Sequence, residues 1–202
     1  MKTREKLLKI GTEEFAKRGY DSVSLNDIVK KVGINKATVY HHFKDKQSLY
    51  QKIIQNELSL IHESIEEKLH DGLHVDEMLS IYIDSVLHSL KANPNIIPLA
   101  LRESANFGSN IDEGVVPFFE KEIQYIKEIL NKQNIKEKYR SMDSYALYCF
   151  IHGTIFIFYT VQMTSLSVGI NEIKGDSEKS LEYISKYIKD ILIDALVEKE
   201  QI

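Results

Sequence analysis

Residues Ser24 to Lys46 read SLNDIVKKVGINKATVYHHFKDK, and this stretch decides the fold. Its spacing predicts two short helices joined by a tight turn at Gly33, followed by the start of another helix. Ser24 and Asp27 have the spacing of an N-terminal capping box, and Asn35 is a second residue of the N-cap type. The arrangement is typical of a helix-turn-helix, a unit whose second helix lies in the major groove of DNA.

The composition is that of a folded intracellular protein. The 202 residues are 43% hydrophobic, and the single cysteine, Cys149, excludes an internal disulfide. The charged N-terminus, MKTREKLLK, has no apolar signal segment, so we expect a cytoplasmic protein. The most apolar stretch, Cys149 to Met163, is interrupted by His152 and is short for a bilayer, which predicts a buried helix and no membrane span.

Charge is distributed unevenly along the chain. Residues 1–52 contain 12 of the 26 Lys and Arg residues and 6 of the 30 Asp and Glu residues, a net charge of +6. The remaining residues carry a net charge of −10, so the total is −4. A basic N-terminal third on an acidic body is compatible with a part that binds a polyanion, although chance scatter of surface charge gives the same pattern.

The helix predicted from Lys36 to about His42 is too short to be stable alone. Val39 and Phe43 are four residues apart and are predicted to hold it against its neighbours, which leaves its polar side chains outward. Lysine and hydroxyl side chains there suit phosphate oxygens and base edges. The adjacent pair His41-His42 chelates a metal poorly because neighbouring helical residues point about 100° apart. A helix-turn-helix that contacts another protein is the alternative.

Several residues together resemble the TetR family of bacterial transcriptional regulators. They are Phe15-Ala16 with Gly19, Ser24 with Asp27-Ile28, and the run from Gly33 to Leu49. The resemblance spans roughly residues 5–55. It implies an all-α homodimer with an N-terminal three-helix helix-turn-helix DNA-binding domain, residues 1–47, and a C-terminal helical ligand-binding and dimerisation domain, residues 48–202.

The resemblance also implies roles for single residues. Lys36 and Ala37 stand where the family contacts bases, and Asn26 stands where some members read a further base. The outward His41 belongs to the same surface. Leu25-Asn26 departs from the residue pair common in the family, which weakens the case for base reading from that helix. The positions that match phosphate contacts are Ser24, Thr38, Tyr40, His42 and Lys46.

The rest of the chain predicts further helices, about nine in all. A helix from Asp45 to about Leu69 begins in the DNA-binding domain (the head) and ends in the C-terminal domain (the body). The helix that begins at Pro117 is apolar on two sides. The resemblance implies that the last two helices, about Ser141 to Thr164 and about Asp176 to Lys199, pair with their copies in a four-helix bundle across a two-fold axis. Packing within one protomer is the alternative. The apolar seam expected at the dimer interface is Leu181, Ile184, Ile188, Ile191 and Ala195.

Two helix ends carry their own signals. Gly19 is predicted to end the first helix in the left-handed conformation, and Asn95 is predicted to cap a helix that runs to about Ala105.

The resemblance places an effector pocket in the body, where aromatic side chains are mixed with a few polar groups. Pockets for small molecules have this composition, although a plain hydrophobic core has many of the same aromatics. Tyr148 and His152, four residues apart, are the strongest pair. The candidate ligand-binding residues are Tyr82, His88, Arg102, Asn106, Phe107, Phe119, Tyr125, Tyr148, His152, Phe156 and Tyr159.

The resulting hypothesis is a ligand-responsive repressor that binds a palindromic operator as a dimer and is released by an apolar or aromatic small molecule. A transcriptional activator, or a sequence-tolerant DNA-binding protein without small-molecule control, is the alternative. An enzyme is disfavoured because the chain has no Ser-His-Asp order, metal quartet or glycine-rich phosphate loop. We expect no cofactor and no metal.

Overall fold

The computed structural model describes residues 2–167 and 177–198, and this part of the chain is helical. The predicted all-α class is confirmed. A short 3-10 helix, Glu137–Tyr139, and an isolated bridge between Ile135 and Val197 interrupt the helical pattern. The α-helices of the described residues are α1 Thr3–Arg18, α2 Leu25–Val32, α3 Lys36–His42, α4 Lys46–Glu66, α5 Val75–Ala92, α6 Ile96–Ala105, α7 Val116–Leu130, α8 Ser144–Ser167 and α9 Ser177–Leu196.

Local signals set the bounds of α2 as predicted. The Ser24 hydroxyl accepts from the backbone N–H of Asp27 at 3.2 Å, and the Asp27 carboxylate accepts from the N–H of Ser24 at 3.0 Å. This capping box satisfies two of the N–H groups that the first turn of a helix leaves without partners. At the other end Gly33 adopts φ 74° and ψ 36°, the left-handed conformation that a residue without Cβ enters easily.

Several predicted helix ends differ from the structure, and α4 ends at Glu66 instead of at about Leu69. Gly19 has φ 80° but ψ 161°, so the predicted left-handed cap is wrong and the chain leaves α1 in an extended path. Asn95 has helical angles and no side-chain cap hydrogen bond. Helix α8 starts three residues late because the carboxylate of Asp143 accepts from the N–H of Tyr145 at 2.9 Å, which places the cap there. The predicted limits of the last helix, Asp176 and Lys199, lie outside the described residues.

The chain forms two compact units. Unit 1 consists of Met1–Ser59 with Asn93–Phe118, and unit 2 consists of Leu60–Ala92 with Phe119–Ile202. Helix α4 therefore runs through the division. This division does not coincide with the functional boundary expected between residues 47 and 48, which stays a prediction.

An aromatic cluster lies in the core of unit 1. The ring of Phe15 is 5.8 Å from Tyr20 and 5.0 Å from Tyr50, and the two tyrosine rings are 4.8 Å apart. Gly11 allows α1 and α4 to approach closely, because a Cβ there would lie 3.1 Å from the δ carbon of Ile53. The cluster fixes α1 against the start of α4.

Helix α6 is part of unit 1, which the sequence did not indicate. The Tyr50 hydroxyl donates to Glu103 Oε1 at 2.5 Å, and the Arg102 guanidinium donates to the carbonyl of Ala16 at 3.4 Å. Burial, followed by the hydrogen bond to Glu103, raises the pKa of Tyr50. The buried bond from Tyr50 to Glu103 ties α6 to α4, and the exposed Arg102 ties α6 to the end of α1.

A second set of hydrogen bonds ties the loop after α6 to α4. Gln47, Gln51 and Gln55 recur every four residues, so their side chains lie on one face of α4. Gln47 Nε2 donates to the carbonyl of Asn110 at 2.8 Å, and Gln55 Nε2 donates to the carbonyl of Gly114 at 3.0 Å. The loop backbone is thereby satisfied by side chains instead of by secondary structure.

Helices α5, α8 and α9 pack together in unit 2. Helix α5 has an inward face on which Tyr82 and Val86 are fully enclosed. Helix α8 buries Leu147, Ile151 and Ile155 but leaves its other face exposed. The prediction of a buried α8 was therefore wrong for one face. By length and composition alone, Ser144–Met163 could cross a membrane.

The predicted seam of α9 was also assigned to the wrong partner. Leu181, Ile184 and Ile188 are buried within the protomer, so they are not available to a second chain. Ile191 is exposed and Ala195 is half-buried. The exposed apolar face of α9 instead consists of Tyr183, Tyr187 and Ile191.

Candidate nucleic-acid interface

Helix α3 is held in place by a cap and by two buried residues. The Asn35 side chain accepts from both the backbone N–H and the hydroxyl of Thr38, each at 2.8 Å. Val39 and Phe43 are buried on the inner side, and the Arg4 guanidinium lies 5.5 Å from the Phe43 ring. Seven residues are thus fixed without the length that an isolated helix needs.

The outer side of α3 is exposed as predicted. Lys36, Ala37, Tyr40 and His41 are exposed, whereas Thr38 and His42 are half-buried. The Lys36 ammonium lies 5.8 Å from the ring of Tyr40, so the cation and the phenol share one surface. A cation, a small residue and a hydroxyl on one short helix provide the groups that read base edges and phosphates.

Helix α2 is oriented by an ionic network with α1. The buried carboxylate of Glu14 binds the ammonium of Lys31 and accepts from the Arg18 guanidinium at 3.3 Å. The hydrogen bond from Lys31, with that from Arg18, holds the pKa of Glu14 below its usual value. Arg18 also pairs with Asp27 at 3.4 Å. These bonds fix both ends of α2, and Ser24 and Asn26 are exposed at its start.

Three of the expected phosphate contacts, Ser24, Thr38 and Lys46, already have protein partners. The Thr38 hydroxyl donates to the Asn35 side chain. The Ser24 hydroxyl accepts in the capping box, but its O–H remains able to donate. The Lys46 ammonium donates to the carbonyl of Tyr20 at 3.0 Å and lies 3.9 Å from the centre of its ring. An ammonium has three N–H groups, so the Lys46 bond leaves donors over while it fixes the side chain in position.

The residues expected to line an effector pocket do not form one group. Phe107 is 97% exposed with φ 53°, and His88 is exposed on α5. Arg102 and Asn106 belong to unit 1 together with Phe107. The candidates located in unit 2 are Tyr82, His88, Phe119, Tyr125, Tyr148, His152, Phe156 and Tyr159.

The pair Tyr148 and His152 does lie at the centre of an aromatic cluster. Their rings stack at 4.2 Å, and the ring of Phe156 meets His152 edge-on at 5.7 Å. The hydroxyl of Tyr82 is 2.9 Å from His152 Nε2. Burial lowers the pKa of His152 to about 3 and raises that of Tyr148, so both groups are uncharged at neutral pH.

Sequence reasoning missed two polar residues of this cluster, Glu122 on α7 and His62 on α4. Glu122 is fully buried, with His152 Nε2 at 3.5 Å from Oε2 and His62 Nε2 at 3.9 Å from Oε1. The sequence did contain a signal for Glu122. Its helix was predicted to be apolar on two sides, and such a helix has little exposed surface on which a carboxylate could lie. His62 follows Ile61 in the apolar seam of α4 and carried no signal of its own.

Comparison with known proteins agrees with this geometry. Residues 7–53 match the family model described as bacterial regulatory proteins, tetR family. An HTH-type transcriptional regulator of Staphylococcus aureus is 30% identical over 105 residues, 47% of this chain and 57% of that protein. The biofilm operon negative regulator IcaR of Staphylococcus epidermidis is 36% identical over 53 residues, 26% of this chain and 29% of IcaR. The chain spans about half the length of the curated relatives it matches.

A solved structure extends the likeness of fold to the whole chain. The ketosteroid transcriptional regulator KstR2 of Mycobacterium tuberculosis superposes with a TM-score of 0.71 at 16% identity, covering 98% of this chain and 96% of that one. The resemblance inferred from the N-terminal residues is therefore confirmed for residues 7–53, which match the tetR family of bacterial regulatory proteins.

Proposed function

We propose that this protein is a cytoplasmic, ligand-responsive transcriptional regulator that binds a palindromic operator as a homodimer and acts as a repressor. The observation that carries the proposal is the outer face of α3. Lys36, Ala37, Tyr40 and His41 are exposed on a helix that its cap and core residues hold rigidly. The name of IcaR, a negative regulator similar to this chain in the head, supports repression.

Contacts with DNA follow from the chemistry of each side chain. Lys36 reaches guanine acceptors, and the small Ala37 allows close approach to a thymine methyl. Asn26, which is exposed at the start of α2, is a further candidate for contact with a base. The expected phosphate contacts are Ser24, Thr38, Tyr40, His42 and Lys46, with His41 at the edge of the surface.

Lys36→Ala is expected to weaken binding to the operator about tenfold and to relax discrimination at one base pair of each half-site. The physical reason is the loss of a charged donor from the exposed face. Fluorescence anisotropy of labelled operator measures both effects. Lys127→Ala removes an equal charge from the exposed side of α7 and is expected to leave affinity unchanged. If the two variants bind alike, Lys36 is not a base-reading residue.

A homodimer is supported by apolar residues that the protomer leaves uncovered. Phe150, Ile157 and Val161 recur on one face of α8 and are exposed. Tyr183, Tyr187 and Ile191 recur every four residues on α9 and are exposed as well. The stacking of Phe158 on Tyr183 at 5.9 Å shows that the two helices adjoin here. Apolar surface of this kind is the usual core of a two-fold interface.

Control by a small molecule is supported by the aromatic cluster around His152. We expect an apolar or aromatic effector to bind unit 2 more tightly in the conformation that does not hold DNA, which shifts the population away from the operator complex. Helix α4, Lys46–Glu66, starts beside the recognition helix and ends in unit 2, so its movement would carry the signal.

A further inference from the structure

Glu122 is a buried carboxyl group that the protein does not satisfy. Its side chain has no exposed surface, and apart from an interaction with the Tyr82 hydroxyl neither oxygen has a hydrogen-bond partner among the described residues. The nearest imidazole nitrogens, on His152 and His62, are 3.5 and 3.9 Å away, beyond normal hydrogen-bond length. Burial of a carboxyl group without hydrogen bonds is costly, and an apolar residue of similar size would avoid that cost.

Burial also keeps the group protonated. It raises the pKa of Glu122 to about 8, and an interaction with the Tyr82 hydroxyl offsets only part of the rise. His152, whose pKa burial lowers to about 3, does not supply a positive charge at neutral pH. His152 and Glu122 therefore do not form an ion pair at neutral pH, although His152 Nε2 lies 3.5 Å from Glu122 Oε2.

The side chains around Glu122 are aromatic. Tyr148 and Tyr82 are close enough for its charge to add to the burial that raises the pKa of each hydroxyl. Burial and then a hydrogen bond to Glu66 raise the pKa of Tyr125 on the same helix, and the charge of Glu122 makes the smallest contribution. A carboxylate among aromatic rings combines an opposite charge with ring faces, and this combination suits an organic cation.

We propose that Glu122 recognises the positively charged group of the effector, an amine or quaternary ammonium attached to an apolar or aromatic body. The proposal rests on the proposed function, in which unit 2 binds an effector, and it names the chemical class of that effector. His62 from α4, Tyr82 from α5 and His152 from α8 surround the charged group. The rings of Tyr148 and Phe156 contact the body.

Binding of a cation beside Glu122 should also release a proton, because the charge in the buried site must stay balanced. The free site holds a neutral carboxylic acid, and the occupied site holds a carboxylate with a cation, so binding releases one proton to solvent. Affinity should rise by up to about tenfold per pH unit below the pKa of Glu122. The titratable groups facing Glu122 are His62, Tyr82, Tyr125, Tyr148 and His152.

The probe is benzyltrimethylammonium, compared by titration calorimetry with neopentylbenzene, its uncharged carbon isostere. Wild-type protein is expected to bind the cation at least tenfold more tightly than the isostere, with proton release that calorimetry in two buffers detects. Glu122→Gln, which keeps the shape and removes the charge, should lose the preference. Glu120→Gln, an exposed neighbour on α7, should keep it.

A change of fold is separated from a change of recognition by Glu122→Asp, which restores a carboxylate and should recover part of the preference. Equal affinity for the two probes, no cation binding at millimolar concentration, or an unchanged preference in Glu122→Gln would each overturn the proposal. Binding of the same proteins to DNA is measured separately. Cation recognition without DNA binding would refute the regulator and keep the site, and the reverse result would refute the site alone.

Discussion

Glutamate at both Ile157 and Ile191 is expected to convert the protein from a dimer into a folded monomer that no longer occupies a palindromic operator. These side chains are 55% and 53% exposed in the protomer, so the substitutions should not disturb its core. In a two-fold interface each substitution occurs twice, and the carboxylates meet apolar surface or one another. We expect the dissociation constant of the dimer to rise at least a thousandfold, about 4 kcal/mol.

Analytical ultracentrifugation across micromolar concentrations measures the change directly. Tyr145→Glu is the matched control, because Tyr145 is 58% exposed on α8 but lies on a different face from Ile157. The control should remain dimeric. A dimeric Ile157→Glu/Ile191→Glu variant, or a monomeric wild-type protein, would show that α8 and α9 are not the interface.

The free energy of unfolding of the wild-type protein is expected to fall by about 2 kcal/mol between pH 6.5 and pH 8 because of Glu122. Burial raises its pKa from 4.5 to about 8, so the folded protein holds a proton that the unfolded chain has lost. The resulting stability is fully present below pH 4.5 and is lost as pH rises through 8.

His152 acts in the opposite direction. Burial lowers its pKa from 6.5 to about 3, so its contribution is present above pH 6.5 and is lost as pH falls towards 3. Between pH 4.5 and 6.5 the fall in the free energy of unfolding caused by Glu122 cancels the rise caused by His152. Above pH 6.5 only the fall caused by Glu122 remains. Urea unfolding at each pH measures the difference between wild type and Glu122→Gln. That difference should change by about 2 kcal/mol over this interval, whereas Glu120→Gln should parallel wild type. A constant difference would contradict the assigned state of Glu122.

The recognition unit could be predicted closely because its signals are local. The bounds of α3 follow from Asn35 and from the spacing of Val39 and Phe43, and the left-handed turn follows from Gly33. Capping and turn chemistry act over three or four residues, so one sequence contains the whole argument.

The body could be predicted only in part because its contacts are not local. Periodicity shows that α9 has an apolar face but not which surface covers it, so Leu181 and Ile188 were assigned to a partner chain although the protomer buries them. Tyr183 and Tyr187 were overlooked because the seam of aliphatic residues gave the stronger pattern. The bond from Tyr50 to Glu103 joins residues 53 positions apart, and no sequence spacing indicates it.

Selection of sequences from a random duplex library with the purified full chain tests the central claim most directly. The account predicts enrichment of a two-fold symmetric motif. The centres of its half-sites should be separated by about 34–36 Å, which is one helical turn of DNA, or by a multiple of that distance. Lys36→Ala should reduce the enrichment, and the Ile157→Glu/Ile191→Glu variant should abolish it. Recovery of no preferred sequence, or of a motif without two-fold symmetry, would contradict a dimeric operator-binding regulator.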